Sequence, residues 1–253
     1  MIGSLIGADV LKLAKRRGLM ITSLVLLLGS VVAILVVRAI LHSSDPFETT
    51  SIGAEFGYRM CEIAMISFGG LVSTAIGATA GAQDHTAGVF RDLVATGVSR
   101  ARLFLVRIPA ALGLVAVFVV PPFLIAVAAG LFLTNGQPKP TAGDIRGDAL
   151  YLSLLFATLT VLACALSTTI GSRGWVIGGL IAFEWVVQPL VASFSVFGDA
   201  RQWLLGTAVD HFAREDLSRY DLTMSDGQAA VTIILWMGAV IAIGTWRTMT
   251  RDA

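Results

Sequence analysis

Long stretches of this chain carry no charge at all, and that limits what it can fold into. Residues 19–37, for example, contain no Asp, Glu, Lys or Arg. A helix rises about 1.5 Å per residue, so ~20 apolar residues cross a hydrocarbon core ~30 Å thick. The runs predict six membrane spans, at residues 19–41, 60–82, 108–133, 149–172, 174–197 and 227–246. The third carries Pro109 and the pair Pro121-Pro122, so a kinked or broken helix is expected there. The fifth is interrupted by Glu184 and Pro189. Only 14% of the 253 residues are charged, against ~25% in soluble domains, too few to cover a water-facing surface. The expected fold is an all-α integral membrane protein, one transmembrane domain over residues 1–253.

A signal peptide is a poor reading of the first run. Lys12, Lys15, Arg16 and Arg17 precede it as in such a leader, but the run is longer than a signal core and no small-x-small site closes it. It reads as a retained anchor. The net charge of +1 offers no electrostatic basis for binding nucleic acid. Cys61 and Cys164 sit in apolar runs without CxxC spacing, as buried, inert thiols would.

Basic residues in short loops mark the cytoplasmic side. They cluster in the N-terminal segment, in the loop after span two (Arg91, Arg100, Arg102, Arg107), at Arg173, and at Arg247 and Arg251. The opposite loops are poorer in them: the first is acidic, with Asp45, Glu48 and Glu55. The last sets Arg201, Arg214 and Arg219 against six acids. The expectation is a multi-pass protein of the cell membrane with both termini cytoplasmic.

Three segments outside the spans carry pattern. Residues 3–17 read as an amphipathic helix at the interface, with Leu5, Ile6, Val10, Leu11 and Leu13 apolar and a basic end toward the span. Residues 84–104 read as a cytoplasmic helix capped by Asp84 or Thr86 and ended by Gly97. Ser99 then caps a second helix leading into span three. Residues 198–226, with Trp203, Leu204, Leu205, Val209, Phe212 and Leu217, suggest one or two short external helices.

Catalytic constellations are missing. There is no HExxH, no GxSxG and no metal-ligand cluster in a span, and His42, His85 and His211 are scattered. No catalytic residue, metal or cofactor is expected on this chain. Within the spans, Glu184 stands out: a mid-membrane carboxylate costs roughly 2.5–3.5 kcal/mol on insertion scales, so it faces protein or water. It is a candidate for lining a translocation path, or a neutral acid bonded to a neighbouring helix. Arg59 and Glu62, spaced i, i+3, are expected to pair. Gly69, Ser73, Gly77 and Gly81 recur every four residues, a stripe for close helix packing that could also serve a subunit interface. Gly174 and Gly178 form a shorter version.

The loop after span two resembles the permease subunits of type-2 ABC transporters. Those have an acidic residue, a Gly/Thr step, a short apolar helix and a phrase like Pro-Val-Ser-Arg before span three. Here the match is Asp84, Thr86, Gly88, Phe90, Leu93 and Val94, then Gly97-Val98-Ser99-Arg100, with Gly97 in the place of the proline. The layout of amphipathic helix, six spans and a segment before span six fits as well. The resemblance implies a coupling helix in which Asp84, Thr86, Gly88, Phe90, Arg91, Asp92, Leu93 and Val94 meet a separate cytoplasmic ATPase. It also implies two copies of that ATPase and a second permease, identical or homologous, in the bilayer. ATP and Mg would sit on the partner, because this chain has no GxxxxGK[ST] loop. The implied function is an exporter permease with a dimeric path. A regulatory or assembly subunit is the alternative from another class. A secondary transporter, which should show coupling acids and internal repeats, is a third.

Overall fold

In a computed structural model of the chain, residues 2–44, 51–86, 97–214, 217–220 and 224–250 are described. Among them the only regular structure is helix, and six helices are long and apolar enough to cross a membrane. The spanning helices are α2 (Arg17–Ser44), α3 (Glu55–Gln83 within Glu55–Thr86), α5 (Arg107–Phe132), α6 (Ala142–Ile170), α7 (Arg173–Ser193) and α9 (Asp226–Thr250). Shorter helices are α1 (Ile2–Ala14), α4 (Arg100–Leu105), which leads into α5, and α8 (Leu205–Asp210). The chain is a multi-pass membrane protein.

The centre of the bundle is the α3–α6 pair, and small residues explain how closely it packs. A Cβ on Gly77 would fall 2.3 Å from the Thr160 carbonyl oxygen, and one on Gly81 would fall 2.1 Å from that of Cys164. Gly69 lies under the Phe156 ring, and Ser73 is fully buried. Contact this close replaces the hydrophobic drive that helices lack in lipid. Of the polar residues of α6 that line the seam, Thr160 donates to the Phe156 carbonyl of its own helix at 2.6 Å, while Thr168 is shared between that of Cys164 at 2.8 Å and, across the seam, that of Gly81 at 3.2 Å. Gly174 and Gly178 on α7 have open space where a Cβ would go.

The prolines fall differently from expectation. Pro121 and Pro122 lie inside the continuous helix α5, and the break comes at Val106, between α4 and α5. Pro109 sits in the first turn of α5, where its missing N–H has no intrahelical partner to lose. In α7 the consequence of Pro189 is a π-turn over Phe183–Val187, closed by the Gln188 N–H on the Phe183 carbonyl. Widening the turn relieves the clash that Pro189 would make with the carbonyl four residues back. It also leaves Glu184 and Gln188 both buried on the inner face.

Helix ends shift too. The expected helix over 3–17 ends at Ala14, and α2 begins at Arg17. The fourth span starts about two turns before residue 149, because Thr141 and Asp144 form a capping box: Asp144 N–H donates to Thr141 Oγ1 at 3.1 Å and Thr141 N–H to Asp144 Oδ2 at 2.8 Å. At its other end Gly171 takes φ 79°, the left-handed cap. The fifth span stops at Ser193, and a 3₁₀ segment, Ser195–Trp203, follows. Gly97 has φ 83°, and Ser99 Oγ accepts the Arg102 N–H at the start of α4.

Candidate functional site

An even number of spans puts both termini at one end of the bundle. At the opposite end, buried charge collects where α3, α6 and α7 meet residues 205–220. Glu62, Asp148, Glu184 and Asp210 are all at least nine-tenths buried, at 3%, 1%, 8% and 1% exposure. Burying four carboxylates is costly unless each finds a partner.

Two groups of contacts supply partners. In the first, Tyr58 Oη donates to Asp148 Oδ2 at 2.9 Å, and Arg214 lies with Nε 3.6 Å from Asp148 Oδ1 and Nη1 3.7 Å from Asp144 Oδ1. Glu62 lies within electrostatic reach of both Asp148 and Arg59, the partner its spacing suggests. One helical turn separates Tyr58 from Glu62, so the same face of α3 carries both inward.

The second group centres on Glu184. Gln188 Nε2 donates to Glu184 Oε1 at 2.6 Å, and Gln188 Oε1 accepts the Gly206 N–H at 2.7 Å. The amide side chain thus ties α7 to the start of α8. Arg219 Nε lies 3.4 Å from Asp210 Oδ1, and its Nη2 lies 3.9 Å from Glu184 Oε2. Asp210 Oδ2 also accepts from Ser218 Oγ and from the N–H groups of Arg219 and Tyr220. Burial holds the Tyr220 phenol above its ordinary range, so it stays neutral. Its hydroxyl and that of Tyr151, which is 1% exposed, have no hydrogen-bond partner among the described residues.

Beside Glu184 a cleft of about 320 Å³ opens between α3 and α7. Ile66, Ser67, Tyr151, Glu184, Trp185 and Arg219 line it. It adjoins an apolar pocket of about 30 Å³ that shares Glu184 and Arg219 and is walled by Leu155, Leu180 and Ile181. A separate apolar groove of about 430 Å³ lies between α6, α7 and α9, with Trp175 and Trp236 at its sides.

The end that bears the termini is held differently. Arg107 is fully buried and donates through Nη1 to the Gly81 carbonyl at 3.1 Å, which also accepts from Thr168 Oγ1 at 3.2 Å. Asp9 of α1 is buried and pairs with Lys12 at 3.0 Å. The ring of Phe104 fills the space beside Gly244.

Of the residues singled out in the sequence, Glu184 stands in the charged cluster and the four small residues of α3 stand against α6. Asp84 and Thr86 belong to the last turn of α3. Gly88, Phe90, Arg91, Asp92, Leu93 and Val94 lie outside the described residues. Sequence reasoning missed Tyr58, Asp148, Tyr151, Gln188, Asp210 and Arg219. Asp148 carried a signal: a carboxylate one residue before an apolar run, in phase with Tyr151 and Leu155 on one helix face. Known protein-family models and curated proteins contain no match to this chain.

Proposed function

We propose that this chain is the membrane-spanning permease subunit of an ATP-driven exporter of the type-2 ABC kind. It works beside a second permease copy or homologue in the cell membrane, with both termini cytoplasmic. Two copies of a separate ATPase bind ATP and Mg, and the segment from Asp84 to Val94 docks on them. The observation that carries the reading is the cleft beside Glu184, a charged pocket set in a bundle whose α7 is largely uncovered by its own chain. α2 supports it: an 18-residue window of that helix is only 11% buried, which leaves a long apolar face for lipid or a second subunit. In this scheme, closure of the ATPases pulls on the loop after α3. Because α3 packs tightly on α6, movement of the loop end reaches Tyr58, Glu62 and Asp148 at the other end of the same helices.

A secondary carrier is the second reading, favoured by a specific feature. Four buried carboxylates, Glu62, Asp148, Glu184 and Asp210, gather with Arg214 and Arg219 toward one end of the bundle, the kind of cluster that proton or ion coupling uses.

One experiment separates them. The chain is purified in mild detergent from its native membrane, and co-purifying proteins are identified by mass spectrometry. A stoichiometric P-loop ATPase, lost when Phe90→Asp and Leu93→Asp are combined, is the expected result. Recovery of the chain alone, together with pH-gradient-driven uptake in liposomes holding no ATPase, would replace the permease reading with the carrier.

A further inference from the structure

The cleft beside Glu184 has a charge imbalance that specifies a ligand. Among the described residues, two carboxylates, Glu184 and Asp210, face one guanidinium, Arg219. Asp210 is the better served: Arg219 Nε is 0.5 Å nearer to it than Nη2 is to Glu184 (3.4 against 3.9 Å), and a hydroxyl and two backbone N–H groups donate to its other oxygen. The Gln188 amide that donates to Glu184 Oε1 brings no charge. Glu184 is therefore the less compensated of the two carboxylates. The neighbouring carboxylates Glu62 and Asp148 have guanidiniums of their own, Arg214 and Arg59, and do not draw on Arg219. Two ring systems border the cleft at Glu184: Trp185, which is exposed, and Tyr151, which is buried with a hydroxyl that has no hydrogen-bond partner among the described residues. Deeper in, the walls are aliphatic.

We infer that this cleft binds a lipophilic organic cation. Its apolar body lies against Ile63, Ile66 and Pro189, and its positive centre sits against Glu184 and the ring of Trp185. Three physical arguments converge on that class. A cation restores the missing charge at Glu184. Aromatic faces attract cations by their quadrupole. A volume of about 320 Å³ falls within the range of small-molecule pockets, ~300–1,000 Å³. An organic anion would meet Glu184 with only Arg219, already shared with Asp210, to offset the repulsion. A bare metal ion would find one carboxylate and a phenol where hard cations take six or more oxygens, and the described residues hold no group of three metal-binding acids, histidines or cysteines. Calling the ligand cargo rests on the permease reading; binding itself does not.

The test uses the full chain in nanodiscs of neutral phosphatidylcholine, without any ATPase, so loss of the permease reading leaves it intact. Radiolabelled tetraphenylphosphonium is titrated into one sample and radiolabelled tetraphenylborate, an anion of nearly the same shape, into another, because the two ions pair when mixed. The expected result is saturable binding of the cation at one site per chain, above the uptake of empty nanodiscs, and no saturable binding of the anion. Glu184→Gln should weaken cation binding by roughly tenfold or more, and Ile66→Trp, which fills the cleft without changing charge, should abolish it. Both variants are checked for a single symmetric peak on size exclusion. Cation uptake no greater than that of empty nanodiscs, saturable binding of tetraphenylborate, or unchanged affinity in folded Glu184→Gln would each overturn the inference. The first two need only the wild-type protein.

Discussion

Replacing Gly77 by alanine puts the central helix contact to a quantitative test. The added Cβ would stand 2.3 Å from the Thr160 carbonyl oxygen and 3.0 Å from the Ala163 Cβ. Favourable carbon contacts begin at about 3.5 Å, so α3 and α6 must part by roughly 1 Å at this level. The obstructing atom is backbone, which has no rotamer to swing away. Overpacking of this kind costs about 1–3 kcal/mol, and a clash with backbone belongs at the top of that range. Gly178→Ala on α7 is the matched control, since nothing lies within 4 Å of its new methyl. Both substitutions share the same gain in helix propensity, up to ~1 kcal/mol, so their difference isolates the clash. Thermal unfolding in a fixed detergent, followed by the loss of monodisperse protein, is the assay. A chain of this size shifts by about 2–4 °C per kcal/mol, so Gly77→Ala should melt roughly 6–12 °C below Gly178→Ala. Equal melting temperatures would refute the reasoning, because they would mean that α3 and α6 do not touch at Gly77.

Three further outcomes follow from the polar contacts. Asp148→Asn removes the charge that Arg214 approaches and should cost about 3 kcal/mol, whereas Tyr58→Phe deletes one hydrogen bond and should cost ~1 kcal/mol; equal losses in the same melting assay would show that Arg214 is not held by Asp148. Gln188→Leu cuts the tie between α7 and the Gly206 N–H, so limited proteolysis near residues 195–204 should accelerate severalfold while cleavage elsewhere is unchanged. Thr141→Ala breaks the capping box of α6 and should lower stability by ~1 kcal/mol, most visibly as faster hydrogen exchange in the first turn of that helix.

The number of spans, and their approximate places, were legible because a bilayer imposes one length on every crossing helix. Apolar runs of that length cannot hide in a sequence, and the six helices lie on the six runs. Local chemistry was legible as well: Gly97 with its positive φ and Ser99 as a cap both follow from what those side chains do to their own backbone. The start of α6 should also have been readable, since Thr141 and Asp144 form a reciprocal cap by spacing alone.

What tertiary structure decided was partnership. Glu62 and Arg59 share a helix face by spacing, but that Glu62 also meets Asp148, 86 residues away in sequence, is decided by packing. Pro189 announces a disturbance in α7, but only the packed bundle turns it into a π-turn that brings Glu184 and Gln188 against Gly206. Asp210 and Arg219, which read as loop charges, become buried parts of the same cluster because the segment after α7 folds back onto the ends of three spans. Periodicity and hydropathy are properties of one helix and its solvent, so they travel with the sequence. Which charges face each other depends on the relative rotation of helices far apart in the chain, and no local pattern encodes that.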